Sequence, residues 1–469
     1  MNVSRLMRGA SAVLVALGLV TGAVSTASAE GFAISTLSAR GGSFGGGAAS
    51  GMVARADDAS AVAYNPAGLT QVPGTQIMAG LAAVALNLDL DTSAGWCSNS
   101  HQVWPIPHGY ISHQLNDKIW LGAGMFTRWG LGHSYPDGWA ARGLAEEAQA
   151  TMGMGSALKS ITLLTSTINP TIAYKINDVW SVAAGVSYTW GYLSLNNQLY
   201  GPNGMGVDHV GDVRVHSENG RSFGYNLAVH AKFNEQWSAG LTYRSHERMK
   251  FNGSSRIRGG GANMMTPLGS LNIPAETLAA KGGLYNSRGK ATIVLPDVIT
   301  LGVAYKPTDR LSFEADVAYT VWSRWRNLQV DLLGSNPNAG YAGHPLFGSF
   351  ASTDKGINQQ KNWRDTWALS FSAEYWALDW LALRAGFLYE TSPLNGEAYN
   401  DYFIPTNGRL QYSAGFGLKY ENWTLDFAYI YMQEREVNLS YAKSNGGVLT
   451  GKFGNGYDHT FALTLGYKF

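Results

Sequence analysis

Trp180-Ser181-Val182-Ala183-Ala184-Gly185-Val186-Ser187-Tyr188-Thr189-Trp190 is the stretch that decides the fold. Val182, Ala184, Val186, Tyr188 and Trp190 share one parity, and Ser181, Ala183, Gly185, Ser187 and Thr189 share the other. Successive side chains of an extended chain point to opposite faces, so this is a strand with one apolar face and one small or polar face. It begins straight after Ile176-Asn177-Asp178-Val179. Asn and Asp suit a tight turn because their side chains bond nearby backbone and tolerate unusual φ. A Trp placed directly after such a turn sits where a membrane interface would be.

The same unit recurs along the chain. Leu115-Asn116-Asp117-Lys118-Ile119-Trp120, Phe233-Asn234-Glu235-Gln236-Trp237, Pro307-Thr308-Asp309-Arg310-Leu311, Ala377-Leu378-Asp379-Trp380 and Tyr420-Glu421-Asn422-Trp423 are further copies. After Trp380, Leu383, Ala385, Phe387 and Tyr389 alternate with Ala382, Arg384 and Gly386. After Trp423, Leu425, Phe427, Tyr429 and Tyr431 alternate with Thr424, Asp426 and Ala428. A soluble sandwich would alternate too. Two features favour a membrane barrel. Short turns alternate with long connections, as in barrels with short periplasmic turns and long outer loops. The last segment places Phe461, Leu463, Leu465, Tyr467 and Phe469 on one face. The expected fold is all-β, a transmembrane antiparallel β-barrel of about fourteen strands. The longest connections are expected near 132–159, 200–220, 257–285 and 334–356, with helical character over 140–159.

The chain opens with Arg5 and Arg8, an apolar run over 10–24 and the A-x-A site Ala27-Ser28-Ala29. This pattern predicts a cleaved signal peptide over 1–29. The apolar run is short for a membrane helix of ~20 residues. The next segment, 30–73, is rich in Gly and Ala, too short to bury a core, and ends where alternation begins. It is expected to form a small plug, or hatch, inside a barrel spanning 74–469. Mean hydropathy is only −0.11, yet 12% of residues are aromatic, with 15 Trp and 24 Tyr. Barrels reconcile these facts, because alternation keeps mean hydropathy modest while aromatic residues collect at the interfaces. Formal net charge is +1, and −1 without Arg5 and Arg8, which gives no support for a nucleic-acid partner. Cys97 is the only cysteine, so neither an intramolecular disulfide nor a cysteine-based metal cluster can form. No cofactor and no metal are expected.

Several motifs resemble the FadL/TodX family of outer-membrane transporters for long-chain fatty acids and other hydrophobic compounds. They are Glu30-Gly31-Phe32-Ala33-Ile34, Ala56-Asp57-Asp58-Ala59-Ser60, Asn65-Pro66-Ala67-Gly68, Leu295-Pro296-Asp297, Ala318-Tyr319-Thr320-Val321-Trp322-Ser323, Trp363-Arg364-Asp365-Thr366 and Asp401 to Pro405. The resemblance implies a hatch-closed barrel of fourteen strands, a kinked third strand that opens the wall sideways, and passive uptake triggered by hatch movement. It makes Gly31, Phe32, Asn65, Pro66 and Ala67 hatch or gating candidates. It puts the kink on 118–131, with Phe126, Trp129 and Gly130 on the lateral-opening strand. Gly122, Gly124 and Gly130 are compatible with such a break, since Gly weakens strands and tolerates bulges.

Asn65-Pro66-Ala67 also reads by itself as a rigid turn, because Pro fixes φ and Asn bonds backbone locally. Asp57 and Asp58 are expected to pair with basic groups in the lumen or to cap a short helix. A carboxylate ligand needs a partly desolvated cation. The family's two head-group positions fall near Asn197 and Gln359 here, and neither is basic. Lys361 shares a face with Gln359 by period 2, and Arg364 matches a basic family position. Trp190, Trp129 and Phe126 are candidate wall residues, although Trp190 also fits an outer aromatic girdle. The resemblance makes long-chain fatty acids the first expectation for the ligand, and the missing basic residues at Asn197 and Gln359 make neutral hydrocarbons the second. The chain lacks H-E-x-x-H and EF-hand patterns, which argues against an outer-membrane hydrolase. A general porin would need no plug. The expected partners are hydrophobic small molecules, outer-membrane lipid and lipopolysaccharide, and the barrel-assembly machinery through the strand ending in Phe469. The expected state is a monomer in the outer membrane.

Overall fold

The computed structural model describes residues 33–47, 50–92, 95–99, 102–141, 155–203, 206–266, 269–396, 404, 406–439 and 451–469. The signal segment, Gly31, Phe32, Asp401 and Pro405 lie outside these residues.

The strands join into one closed wall of fourteen antiparallel staves. The first six are Thr75–Thr92, Val103–Gln114, Ile119–Phe126 continued by Gly130–Ser134, Gly155–Lys175, Trp180–Asn203 and Gly206–Lys232. The seventh combines Trp237–Arg244 with Glu247–Arg258, and the eighth Ser287–Leu295 with Val298–Thr308. The ninth combines Leu311–Thr320 with Asn327–Leu332, and the tenth Gly356–Gln360 with Thr366–Leu378. Leu381–Glu390, Arg409–Tyr420, Trp423–Glu434 and Gly451–Lys468 complete the set. The last stave pairs with the first from Gln76 against Lys468 to Thr92 against Gly451, which leaves no free edge there. Closure is what lets a sheet satisfy its backbone groups in lipid.

The short turns close as their residues dictate. Asn177 Oδ1 accepts the backbone N–H of Val179 at 2.9 Å and of Trp180 at 2.8 Å. Asn116 and Asn234 do the same for Lys118 and Ile119, and for Gln236 and Trp237. Beyond the turns, Leu241, Leu301, Leu369 and Phe371 are exposed on the outside, while Thr242, Thr300, Ser370 and Ser372 are buried inside. Such a continuous apolar outer surface belongs in lipid. Trp180, Trp237 and Trp380 form part of the expected outward row. Trp120 departs from it. It is buried facing the lumen and donates from Nε1 to the Val72 carbonyl at 2.9 Å.

Two expected boundaries need correction. The stretch 200–220 is mostly hairpin rather than loop, since the fifth and sixth staves stay paired from Trp180 against Ala231 to Asn203 against Gly206. Residues 155–159 of the expected helical loop are strand, and 142–154 lie outside the described residues. The connection near 257–285 carries the hairpin Ala262–Thr266 and Gly269–Ile273 and the helix Ala275–Lys281.

Candidate functional site: the occupied lumen and the broken third stave

Residues 33–47 and 50–72 lie inside the wall, almost all of them buried. Three polar residues fold them locally. Ser38 caps the short helix Ala39–Ser43 by accepting from Gly41 N. Asp58 caps the turn Ala59–Val62 by accepting from Ser60 N. Asn65 caps Pro66–Gln71 by accepting from Ala67 N, and Pro66 occupies the first turn, where no N–H is needed. Asn65 also donates from Nδ2 to the carbonyls of Val53 at 2.7 Å and Val229 at 3.1 Å, tying this turn to the sixth stave.

The wall grips this segment at many points. Arg244 of the seventh stave donates from Nη2 to the carbonyls of Val62 and Ala63, both at 2.7 Å, and from Nη1 to Asn169 Oδ1 at 2.9 Å. On the ninth stave, Asp316 accepts from Gly51 N at 2.6 Å, and Glu314 accepts from Ala54 N at 2.8 Å and Arg55 N at 3.1 Å. Arg40 meets Asp57 at 2.6 Å, Asp58 at 3.1 Å and Glu374 of the tenth stave at 3.4 Å. Arg384 bridges Glu374 at 2.7 Å and Asp426 at 2.6 Å. Asp57 and Asp58 thus pair within the N-terminal segment, and Asp58 caps as well. Inward glycines give the segment room. A Cβ on Gly240 would stand 2.1 Å from the Val53 carbonyl oxygen, and one on Gly386 2.1 Å from the Phe44 carbonyl carbon.

The third stave breaks at Thr127–Trp129. From Phe126 to His133 every residue is buried, so the alternation of a wall strand is lost and the chain bends inward. Below the break the stave pairs with the second stave from Trp120 against Gln114 to Met125 against Gly109. Above it, Gly130–Ser134 pairs with the fourth stave, and Val103 to His108 pair with the first. Among the described residues these two upper segments share no ladder, so the second and third staves are not paired with each other there. Ala33 forms an isolated bridge with Trp129, and Ile34 N donates to the Arg128 carbonyl at 2.9 Å. The start of the lumen segment is therefore strand-paired to the break. Gly122 and Gly124 lie in regular strand below it. Their missing side chains make room for Leu69 and Val62, so they do not make the kink.

Above the N-terminal segment the lumen is apolar. Trp322 stacks edge-on to Trp129 at 5.5 Å and to Trp363 at 5.0 Å, and Trp325 meets Trp363 at 4.7 Å. Met249, Phe251, Ile293 and Leu295 extend this lining. Arg128 enters it from the break. Its side chain is buried, its guanidinium lies 5.2 Å from the Trp129 ring, and its Nε and Nη2 have no hydrogen-bond partner among the described residues. A buried cation with unused donors is costly; the buried Glu247 carboxylate, which accepts from Ser187 and Ser222, offsets part of this charge without bonding the two donors. Nothing in the alternation marks Arg128, because its inward aim depends on the bend.

The remaining candidates divide. Asn197 and Gln359 are buried on the lumen side, each with a side-chain oxygen that accepts no hydrogen bond among the described residues. Lys361 is buried too, its ammonium 5.9 Å from the Trp325 ring, and is engaged within the protein. Phe126 and Trp129 face the lumen. Gly130 resumes the stave after the break. Arg364 does not join the lumen: it is exposed and donates from Nε to the Ser392 carbonyl at 3.0 Å. Asn362 adopts a left-handed φ of 47°, and the strand is interrupted there, which upsets the parity that would have turned Arg364 inward. Trp190 lies on the outer face beside Tyr188, at 6.0 Å, because the lumen face of the fifth stave carries the odd-numbered residues. Among the described residues no cluster could hold a metal ion.

The sequence profile described as outer membrane protein transport protein (OMPP1/FadL/TodX) matches residues 20–469. The long-chain fatty acid transport protein of Escherichia coli O6:H1 is 25% identical over 458 residues, covering 92% of each chain. A crystal structure of a FadL homologue from Pseudomonas aeruginosa superposes with a TM-score of 0.72 at 19% identity, over 93% of this chain and 99% of that one. The toluene transporter TodX of P. putida gives 0.64 at 16% identity, with the same coverage.

Proposed function

The chain belongs to the OMPP1/FadL/TodX family of outer-membrane transport proteins, and on that premise we propose that it takes up long-chain fatty acids by passive diffusion. Residues 30–73 act as the hatch. The acyl chain enters the apolar upper lumen, and the carboxylate meets Arg128. Binding there competes with the pairing of Ala33 and Ile34 to the broken stave, which loosens the hatch. The ligand then leaves sideways between the second and third staves. Physics favours that exit. An acyl chain entering periplasmic water loses about 25 cal/mol for each Å² of apolar surface re-exposed, and exit into the bilayer avoids the loss. The route needs no covalent chemistry. The protein works as a monomer, inserted by the assembly machinery through its last stave.

The observation that carries the choice of an acid is the buried Arg128 with two unused donors beside the apolar cluster of the upper lumen. A neutral hydrocarbon, the second reading, would leave those donors unmatched. Hydrogen bonds to a charged group are worth about 1.5–3 kcal/mol, or roughly 10- to 150-fold in affinity. The test is binding of oleate and of 1-octadecene to the purified barrel, wild type against Arg128→Met and Lys361→Gln. Arg128→Met should remove the preference for the acid, while Lys361→Gln keeps it. Equal binding of acid and alkene by the wild type would sink the fatty-acid reading and favour the hydrocarbon one.

A further inference from the structure

The outer face of the fifth to eighth staves changes character sharply at one height. Trp180 and Trp190 are ten residues apart on the fifth stave. At about 3.3 Å per residue and about 40° of tilt, that is about 25 Å, the height of an outer-membrane apolar band. Trp190, Tyr188, Phe223 and Tyr225 form an aromatic belt there, with Tyr188 and Phe223 rings 5.0 Å apart. Phe223 is 77% exposed, as befits a residue bathed in lipid.

Directly above the belt the exposed residues become basic. Arg221 is the cross-strand partner of Trp190 on one side and of Lys250 on the other. Higher on the same two staves, Arg214 stands opposite Arg256. Arg248 and Lys290 lie on the same outward face, and all six are exposed. Like charges directly opposite one another destabilise a sheet. Among the described residues none of the six forms an ion pair. Glu218 meets His216 at 3.2 Å and Asp212 meets His209 at 3.0 Å. Asp331 stands across from Lys290, so Lys290 alone has an acidic cross-strand neighbour, and that carboxylate accepts from Gln329 at 2.9 Å. Two like-charged cross-strand pairs without ion-pair partners among the described residues, at the upper edge of a lipid-facing aromatic belt, favour an anion that is itself held at that height.

We infer that this face binds a phosphorylated, acylated saccharide lipid of the outer leaflet, of the lipid A type. Its acyl chains lie on Phe223, Tyr225 and Leu227. One phosphate falls between Arg221 and Lys250, within reach of Arg248. Anionic groups farther out on the saccharide meet Arg214 and Arg256. A singly charged glycerophospholipid could fill the lower position and would leave the upper pair unmatched. This site depends on the protein's place in the outer membrane and is independent of the route through the lumen.

The test uses the full barrel in phosphatidylcholine nanodiscs, with lipid retention read by native mass spectrometry. The probes are bisphosphorylated lipid A, monophosphoryl lipid A, phosphatidylglycerol and inorganic phosphate. Arg221→Gln/Lys250→Gln should weaken retention of bisphosphorylated lipid A at least tenfold. Lys306→Gln/Arg310→Gln, which removes as much charge at the short-turn rim, should leave it unchanged. Native folding is checked by migration of unheated protein on gels, and if the first double variant fails that check, Arg248→Gln/Lys290→Gln replaces it. Retention unchanged by the variants overturns the inference. So does phosphatidylglycerol held as tightly as lipid A, or displacement of lipid A by millimolar inorganic phosphate.

Discussion

Arg244 gives the sharpest handle on what holds the N-terminal segment in the lumen. Its Nη2 serves the carbonyls of Val62 and Ala63, and its Nη1 serves Asn169, so one side chain joins the segment to the fourth and seventh staves. The substitution Arg244→Met keeps much of the packing against Phe126 and removes the donors. Each hydrogen bond to a charged group is worth about 1.5–3 kcal/mol. The two carbonyls share one nitrogen, and losing the guanidinium also relieves its own desolvation, so the net weakening is about 2–3 kcal/mol. At about 1.4 kcal/mol per factor of ten, the displaced state of the segment gains roughly 30- to 150-fold in population. The assay is maleimide labelling of Ala61→Cys, a fully buried position, in a Cys97→Ser background in nanodiscs. When opening and closing are fast relative to modification, the labelling rate follows the open population. Unheated gel migration verifies that the wall itself remains closed. A labelling rate within threefold of the parent, in folded protein, would refute Arg244 as a latch.

Glu314→Gln keeps the shape of the side chain and removes the charge that accepts from Ala54 N and Arg55 N, so the same labelling rate should rise about 5- to 10-fold, the worth of roughly 1 kcal/mol. A larger effect than that of Arg244→Met would reverse the ranking of the two contacts. The Cys97 thiol, in the hairpin beyond the first stave, is pushed up to about 12 by burial and by the neighbouring Asp89 carboxylate. The raised value disfavours the reactive thiolate, so at pH 8 disulfide exchange with an aromatic disulfide reagent should run about 10³-fold slower than for an exposed cysteine and accelerate steadily toward pH 11. Labelling at the rate of a free thiol would contradict the burial.

Most of the wall was legible because period 2 records a chemical difference between lipid and lumen. It failed where that difference changes sign. On the sixth stave, Phe223, Tyr225 and Leu227 face out, whereas Val213 and Val215, of the same parity, face in. The register slips between Gly191 against Gly220 and Leu193 against Ser217, so a bulge rotates the strand as it leaves the membrane. Above that bulge water lies outside and the apolar cluster inside, and polar residues such as Arg214 and His216 make a paired strand read as a loop. Similar logic explains the polar residues of the lumen. Glu314 and Asp316 could have been found, being carboxylates on the inward parity of a strand whose other face holds Phe313, Val317 and Tyr319. Arg128 could not, because its burial comes from a bend that three consecutive residues make by leaving the wall. Of the three glycines compatible with that bend, Gly122 and Gly124 instead make room for Val62 and Leu69, Gly130 adjoins the break, and side-chain hydroxyls tie the bend to the fourth stave. Thr127 Oγ1 donates to the Thr165 carbonyl at 2.9 Å, and Thr165 Oγ1 donates back to the Trp129 carbonyl. Two threonines facing across adjacent staves thus replace the ladder bonds the break removes, which keeps the third stave fastened to the fourth at the height where it is unpaired from the second.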